Sequence, residues 1–128
     1  MIQRILVVDD SATTRAFCRR VLGMCGFDTA QIVEAGDGRA ALDILASQSV
    51  DLVLADLHMP GMGGLEMTRH MLIQPRLCEI PVVIISADPN AARMEDLRKQ
   101  GVKGYLSKPF TPEAFRAVID EVTGAIHA

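Results

Sequence analysis

Asp56 closes a short apolar run, Leu52-Val53-Leu54-Ala55, and is followed by Leu57-His58-Met59-Pro60-Gly61. A carboxylate at the end of a buried strand is costly unless something binds it or solvent reaches it. Near the N-terminus Ile5-Leu6-Val7-Val8 runs into Asp9-Asp10, and near the C-terminus Gly104-Tyr105-Leu106-Ser107 delivers Lys108 before Pro109. If the ends of these runs converge, the acids and the lysine can hold a metal ion and a phosphoryl group. Clustered carboxylates repel one another unless a cation is near. Hard oxygen ligands with room for water suit Mg²⁺ (or Mn²⁺). Lys108 offers a compact charge for a phosphoryl oxygen, and Ser86, at the end of another apolar run, offers a hydroxyl donor. A carboxylate can itself be the nucleophile and become an aspartyl phosphate, with the metal and the lysine stabilising charge on the group in transfer.

Convergence requires elements that bring these ends to one place. The pattern predicts strand one over Arg4 to Val8 and helix one over Ala12 to Cys25, with Phe17, Val21, Leu22 and Cys25 on one side. Ser11 serves as N-cap and Gly26 as stop. Strand two covers Gln31 to Glu34 and helix two Gly38 to Ser47, with Ala41, Leu42 and Leu45 inward. Strand three is Asp51 to Asp56, a Gly-rich loop spans Pro60 to Gly64, and helix three covers Leu65 to Leu72. Strand four is Pro81 to Ser86, its proline tolerated at the first residue. Helix four is Asn90 to Gln100, strand five Gly104 to Ser107, and helix five runs from the Thr111-Pro112-Glu113 cap to Ile126.

Alternation of this kind, with nearly continuous apolar strands, predicts a doubly wound α/β domain with a parallel five-stranded sheet. The common order 2-1-3-4-5 makes strands one and three neighbours. The binding crevice then lies between them, outside their carboxyl ends, where Asp9, Asp10 and Asp56 stand.

The 128 residues suggest a single domain over 1–128 with a core of its own. A net charge of −3 gives no reason to expect nucleic-acid binding by the bulk surface. No apolar stretch approaches the roughly 18 residues of a membrane span, and the N-terminal run ends in two aspartates, unlike a signal peptide. Cys18, Cys25 and Cys78 fit a reducing compartment. The first two lie ~10 Å apart along one helix, too far for a disulfide, and all three read as small core residues.

Taken singly, an Asp-Asp pair is a solvated turn, a Lys-Pro a loop, and Ser86 a cap. Together and in order they resemble the receiver domain of two-component response regulators, the CheY-like family. The stretches are Ile5 to Ser11, Glu34 to Gly38, Asp51 to Gly64, Ile80 to Ala87 and Gly104 to Phe110, which cover nearly the full length. The resemblance implies a flavodoxin-like (CheY-like) fold. It implies Asp56 as phosphoacceptor, and Asp9, Asp10, Asp56 and the His58 carbonyl as metal ligands. It implies Ser86 and the Ala87 N–H as donors to the phosphoryl group, Lys108 as its counter-charge with a cis bond to Pro109, and Tyr105 as a rotamer switch. His58 and Asp88 fall where the family tunes acyl-phosphate lifetime. The departures are Gly63 for the commoner Asp or Asn, Ser86 for the commoner Thr, and a slightly long segment between Gly26 and Glu34.

The implied function is a cytoplasmic phosphoacceptor, not an enzyme, with no output domain. It would be charged by a sensor histidine kinase or phosphotransfer protein. It would act through the helix 4-strand 5-helix 5 face on an output protein or a second, phosphorylated copy, with no direct nucleic-acid or membrane contact. Two alternatives differ in class. An aspartate-nucleophile phosphatase of the haloacid dehalogenase type would use the strand-one aspartate, but the chain has no Asp-x-Asp there and no cap domain. A degenerate receiver acting as a phosphorylation-independent interaction module would ordinarily lack the acceptor, the acid pair or the lysine.

Overall fold

A computed structural model describes residues 2–28, 31–87 and 91–127, with the side chains of 91–92 and 124–127 excluded. The elements alternate: β1 (Ile5–Val8), α1 (Ala12–Met24), β2 (Ile32–Ala35), α2 (Gly38–Ser47), β3 (Leu52–Asp56), α3 (Gly64–Leu72), β4 (Val82–Ser86), α4 (Ala91–Lys99), β5 (Gly104–Ser107) and α5 (Pro112–His127). The five strands form one parallel sheet in the order β2-β1-β3-β4-β5, as the sequence predicts.

Strand alternation sends successive side chains to opposite faces, which divides the core in two. Leu6, Val8, Val53, Ala55, Ile84 and Tyr105 pack with Ala41, Leu45, Met67, Met71 and Leu97 of α2, α3 and α4. Ile5, Val7, Leu52, Leu54, Val83, Ile85 and Leu106 pack with Cys18, Val21, Leu22, Phe115 and Ile119 of α1 and α5. The connections change face between β1 and β3, which are paired from Ile5↔Leu52 to Val8↔Ala55. Asp9 and Asp56 therefore leave the sheet side by side.

Local chemistry sets the element ends. Ser11 caps α1, its Oγ accepting from the Thr14 N–H at 3.2 Å. Gly26, at φ 96°, ends it: the Phe27 N–H donates to the Leu22 carbonyl and the Gly26 N–H to that of Gly23, a Schellman closure. Thr111 caps α5 through the Ala114 N–H at 3.0 Å.

Some expectations shift. β2 runs one residue later than predicted, and α3 begins at Gly64. β3 begins at Leu52 because Asp51 is a clasp rather than a strand residue: its Oδ2 accepts the N–H groups of Gln3 at 2.8 Å and Arg4 at 3.0 Å. Cys78 is exposed, not a core residue; it lies in the turns between α3 and β4, where no face is covered. Phe17, Cys25 and Leu42 are only partly buried. Asp88, and Asn90 as the start of helix four, lie outside the described residues.

Candidate functional site

The crevice at the carboxyl ends of β1, β3 and β5 contains the predicted acids and the lysine. One carboxylate oxygen each of Asp9, Asp10 and Asp56 lies within 4.8 Å of the others. Lys108 Nζ bridges two of them, at 3.0 Å from Asp9 Oδ2 and 3.3 Å from Asp56 Oδ2. The side chain of Asp9 is 4% exposed, that of Asp56 14% and that of Lys108 25%; Asp10 is exposed. The group grades from a buried floor to an open rim.

Each position has a cause. Asp9 is held by its N–H to the Ala35 carbonyl (3.1 Å) and by Ser11, whose N–H donates to Oδ1 at 2.8 Å. Lys108 extends the β4–β5 ladder, its N–H donating to the Ser86 carbonyl at 2.8 Å. The bond to Pro109 is cis, as the resemblance implies. Beyond it, Phe110 is buried between Phe17 of α1 and Phe115 of α5, with ring centroids 5.0 and 5.8 Å away in edge-to-face contact. This aromatic run anchors the loop that aims the lysine.

Burial works against the charge of Lys108, but the Asp9 hydrogen bond and the Asp56 charge outweigh it and hold the ammonium above its ordinary value of 10.5. The lysine is therefore cationic throughout the neutral range. Three carboxylates and one ammonium leave two negative charges in the cluster. Hard donors carrying that charge, open to water on the Asp10 side, fit a divalent cation.

The β3–α3 loop is formed by close backbone approach. Gly61 adopts φ 78°. A Cβ on Gly63 would meet the Leu57 carbonyl oxygen at 2.5 Å, and one on Gly64 would collide with the Asp56 carbonyl. The Gly64 N–H donates to the Leu57 carbonyl at 3.2 Å, which folds the loop back over the end of β3. Gly63 thus explains one departure from the family pattern: this loop leaves no room for a side chain there. His58 is exposed on this loop, and its N–H faces Asp56 Oδ1 at 3.4 Å.

Ser86 ends β4 and is 2% exposed, while Ala87 beside it is exposed. Tyr105 pairs in register with Ile84 and is 7% exposed, in the same core cluster as Leu97 and Val102, with Met94 packed against it. The ring occupies the inward position in this structure.

Sequence reasoning missed the network behind the acid pair. Arg15 Nε donates to Glu34 Oε1 at 3.0 Å, and Arg19 Nη2 to Glu34 Oε2 at 2.6 Å. Arg15 Nη1 reaches the Asp9 carbonyl at 2.5 Å. The Arg19 hydrogen bond, aided by Arg15, holds the Glu34 carboxyl below its ordinary 4.5. The available signal was Arg15 and Arg19, four apart on α1, opposite the single acid of β2.

Comparisons with known proteins agree with this geometry. The model of the response regulator receiver domain matches residues 5–120. Chemotaxis protein CheY-3 of Vibrio cholerae is 34% identical over 119 residues, 93% of this chain and 90% of that protein. Among solved structures, chemotaxis protein CheY4 of Vibrio cholerae superposes with a TM-score of 0.84 at 26% identity, over 95% of this chain and 99% of that one. The receiver domain of the sensor histidine kinase PA1611 of Pseudomonas aeruginosa, solved with a magnesium ion coordinated in its active-site cleft, shares the fold at a TM-score of 0.83. It is 23% identical over 97% of this chain and 99% of that one. No helix of the described residues is long and apolar enough to cross a membrane. The chain belongs to the response regulator receiver domain family, of the CheY-like type that serves as phosphoacceptor in two-component signalling.

Proposed function

We propose that Asp56 accepts a phosphoryl group from the phosphohistidine of a sensor histidine kinase or phosphotransfer protein, and that the acyl phosphate so formed changes partner binding on the α4–β5–α5 face. The observation that carries this reading is the Lys108 ammonium bridging Asp9 and Asp56 inside a cluster of three carboxylates. Asp56 is favoured over Asp9 as nucleophile. Asp9 is the more buried, at 4% against 14%, and its oxygens are held more closely, at 2.8 Å by Ser11 and 3.0 Å by Lys108, against 3.4 Å by His58 and 3.3 Å by Lys108 for Asp56. That argues against the phosphatase alternative, and the presence of acceptor, acid pair and lysine together argues against a degenerate receiver.

In the transfer, a carboxylate oxygen of Asp56 attacks phosphorus. The P–O bond forms as the P–N bond to the donor imidazole breaks. The imidazole leaves with the bonding pair and takes up a proton from water. Lys108 neutralises a phosphoryl oxygen, and the Ser86 hydroxyl and the Ala87 N–H donate to the others. Asp9, Asp10, Asp56 and the His58 carbonyl are the groups that would hold Mg²⁺ or Mn²⁺, which supplies further charge neutralisation when bound. Hydrolysis of the acyl phosphate by water resets the protein, so it acts as a signalling phosphoacceptor and not as an enzyme turning over a separate substrate.

Drawing Ser86 toward the phosphoryl group frees space beside Tyr105, stabilises the inward position that the ring already occupies here against the outward one, and so biases a two-state equilibrium of the α4–β5–α5 face. That face would bind an output protein or a second copy of the chain. Burial of the ring among α4 residues supports the coupling.

The test is phosphotransfer from a radiolabelled histidine kinase. Label should leave the kinase for this chain with Mg²⁺ present, and Asp56→Asn or a chelator should each block it. Transfer to Asp56→Asn at the wild-type rate would sink the assignment. For the output face, NMR of the beryllium fluoride complex should show changes at Tyr105 and on α4. Changes confined to the loops around Asp56 would place output elsewhere.

A further inference from the structure

Asp10 is the exposed member of the acid cluster, and none of the described hydrogen bonds reaches its carboxylate. Asp9, by contrast, is fixed through both carboxylate oxygens. What places Asp10 is the main chain that carries it. The peptide joining Asp9 to Asp10 has its carbonyl held by Arg15 Nη1 at 2.5 Å. Arg15 is fixed in turn by Glu34 Oε1, and Glu34 by Arg19 through its other oxygen. We infer that Arg15 is a positioning residue for the cation site: by gripping the Asp9 carbonyl it sets the peptide plane from which Asp10 projects, and so the placement of Asp10 relative to Asp9 and Asp56.

The inference rests on the reading of the acid cluster as a Mg²⁺ site, and it makes a prediction of opposite sign to simple electrostatics. Arg15 is a cation close to the cluster, so its charge alone repels Mg²⁺, and its removal would tighten binding. Loss of positioning loosens binding instead. Groups one bond removed from metal ligands typically change affinity by 10–100-fold; the lower end, about tenfold, is expected for a group acting through a peptide plane. A purely structural role is separable as well. The Arg15–Glu34 pair is partly exposed, at 21% and 32%, and pairs of that kind contribute little to stability.

The experiment is a calorimetric Mg²⁺ titration of unphosphorylated wild type, Arg15→Met, Arg15→Lys and Asp10→Ala, with urea unfolding of each in the absence of Mg²⁺. Arg15→Met should bind Mg²⁺ about tenfold more weakly while its urea midpoint stays close to wild type. Arg15→Lys, which can still donate to the Asp9 carbonyl, should recover part of the loss. Phosphorylation of Arg15→Met by acetyl phosphate should return to the wild-type rate at saturating Mg²⁺. Unchanged or tighter Mg²⁺ binding in Arg15→Met, with wild type binding and Asp10→Ala impaired, overturns the role of Arg15 alone. A wild type that binds no Mg²⁺, or an unimpaired Asp10→Ala, overturns the cation site and this inference with it.

Discussion

Lys108→Met keeps most of the apolar stem and removes the ammonium that bridges Asp9 and Asp56 at 3.0 and 3.3 Å. Breaking a fully buried ion pair by deleting one partner costs about 3–5 kcal/mol, because the surviving charge is stranded. The cost is smaller here. Lys108 is 25% exposed, so water fills part of its place, and the Ser11 N–H still donates to Asp9. About 2 kcal/mol is expected, lowering the urea midpoint by ~1 M for a domain of this size. The same change raises the negative charge of the cluster, so Mg²⁺ should bind more tightly. If the dissociation constant falls about tenfold, Mg²⁺ at the wild-type dissociation constant stabilises wild type by ~0.4 kcal/mol and the variant by ~1.4 kcal/mol. The chain has no Trp and one Tyr, so far-UV circular dichroism is the suitable probe, read in urea with and without Mg²⁺. A variant as stable as wild type without Mg²⁺, or one that gains less from Mg²⁺ than wild type, would refute the picture of lysine and metal neutralising the same carboxylates.

Gly63→Asp, which restores the residue commoner in the family, should destabilise by about 1–3 kcal/mol. Its Cβ would stand 2.5 Å from the Leu57 carbonyl oxygen, and chemical denaturation of the variant measures the cost. In acid, Glu34 contributes stability that is present above its unfolded value of 4.5 and lost as pH falls through its lowered folded value; Glu34→Gln should flatten that limb of a pH–stability profile. In alkali the sign reverses: the Lys108 contribution is complete below 10.5 and is lost as pH rises through the raised folded value, a limb missing from Lys108→Met. Among the thiols, Cys78 is exposed and should react with an aromatic disulfide within the native state. Cys18, buried and with its pKa pushed up to about 12 by desolvation, should react only on unfolding. His58→Ala should change the acyl-phosphate lifetime while leaving Mg²⁺ affinity intact, as read by loss of label over time.

Most of the fold was legible because parallel strands covered on both faces must be apolar and short, and three of the five here are bounded by a charged residue that cannot continue the apolar run: an aspartate after β1 and at the end of β3, a lysine after β5. The same residues are the site, so reading the strand ends was reading the chemistry. The misreadings have local causes. Asp51 has the look of a strand start, but its carboxylate is spent on the N–H groups of Gln3 and Arg4, 48 and 47 residues away. Cys78 has the type of a core residue, but the turns around it leave it exposed. The Arg15–Glu34–Arg19 network joins α1 to β2 across the sheet edge, and side-chain pairing between elements leaves little periodic trace in a sequence. Gly63 could be recognised as a departure but not explained until the Leu57 carbonyl was placed against it.

The central claim is that Asp56 is the acceptor, and borohydride trapping tests it most directly. An aspartyl phosphate is reduced to homoserine, whereas a free carboxylate is untouched. After incubation with acetyl phosphate and Mg²⁺, reduction and peptide mapping should find homoserine at position 56 and nowhere else, and none in a sample prepared with a chelator. Homoserine at position 9, or no reduction product from a folded protein that binds Mg²⁺, would contradict the account.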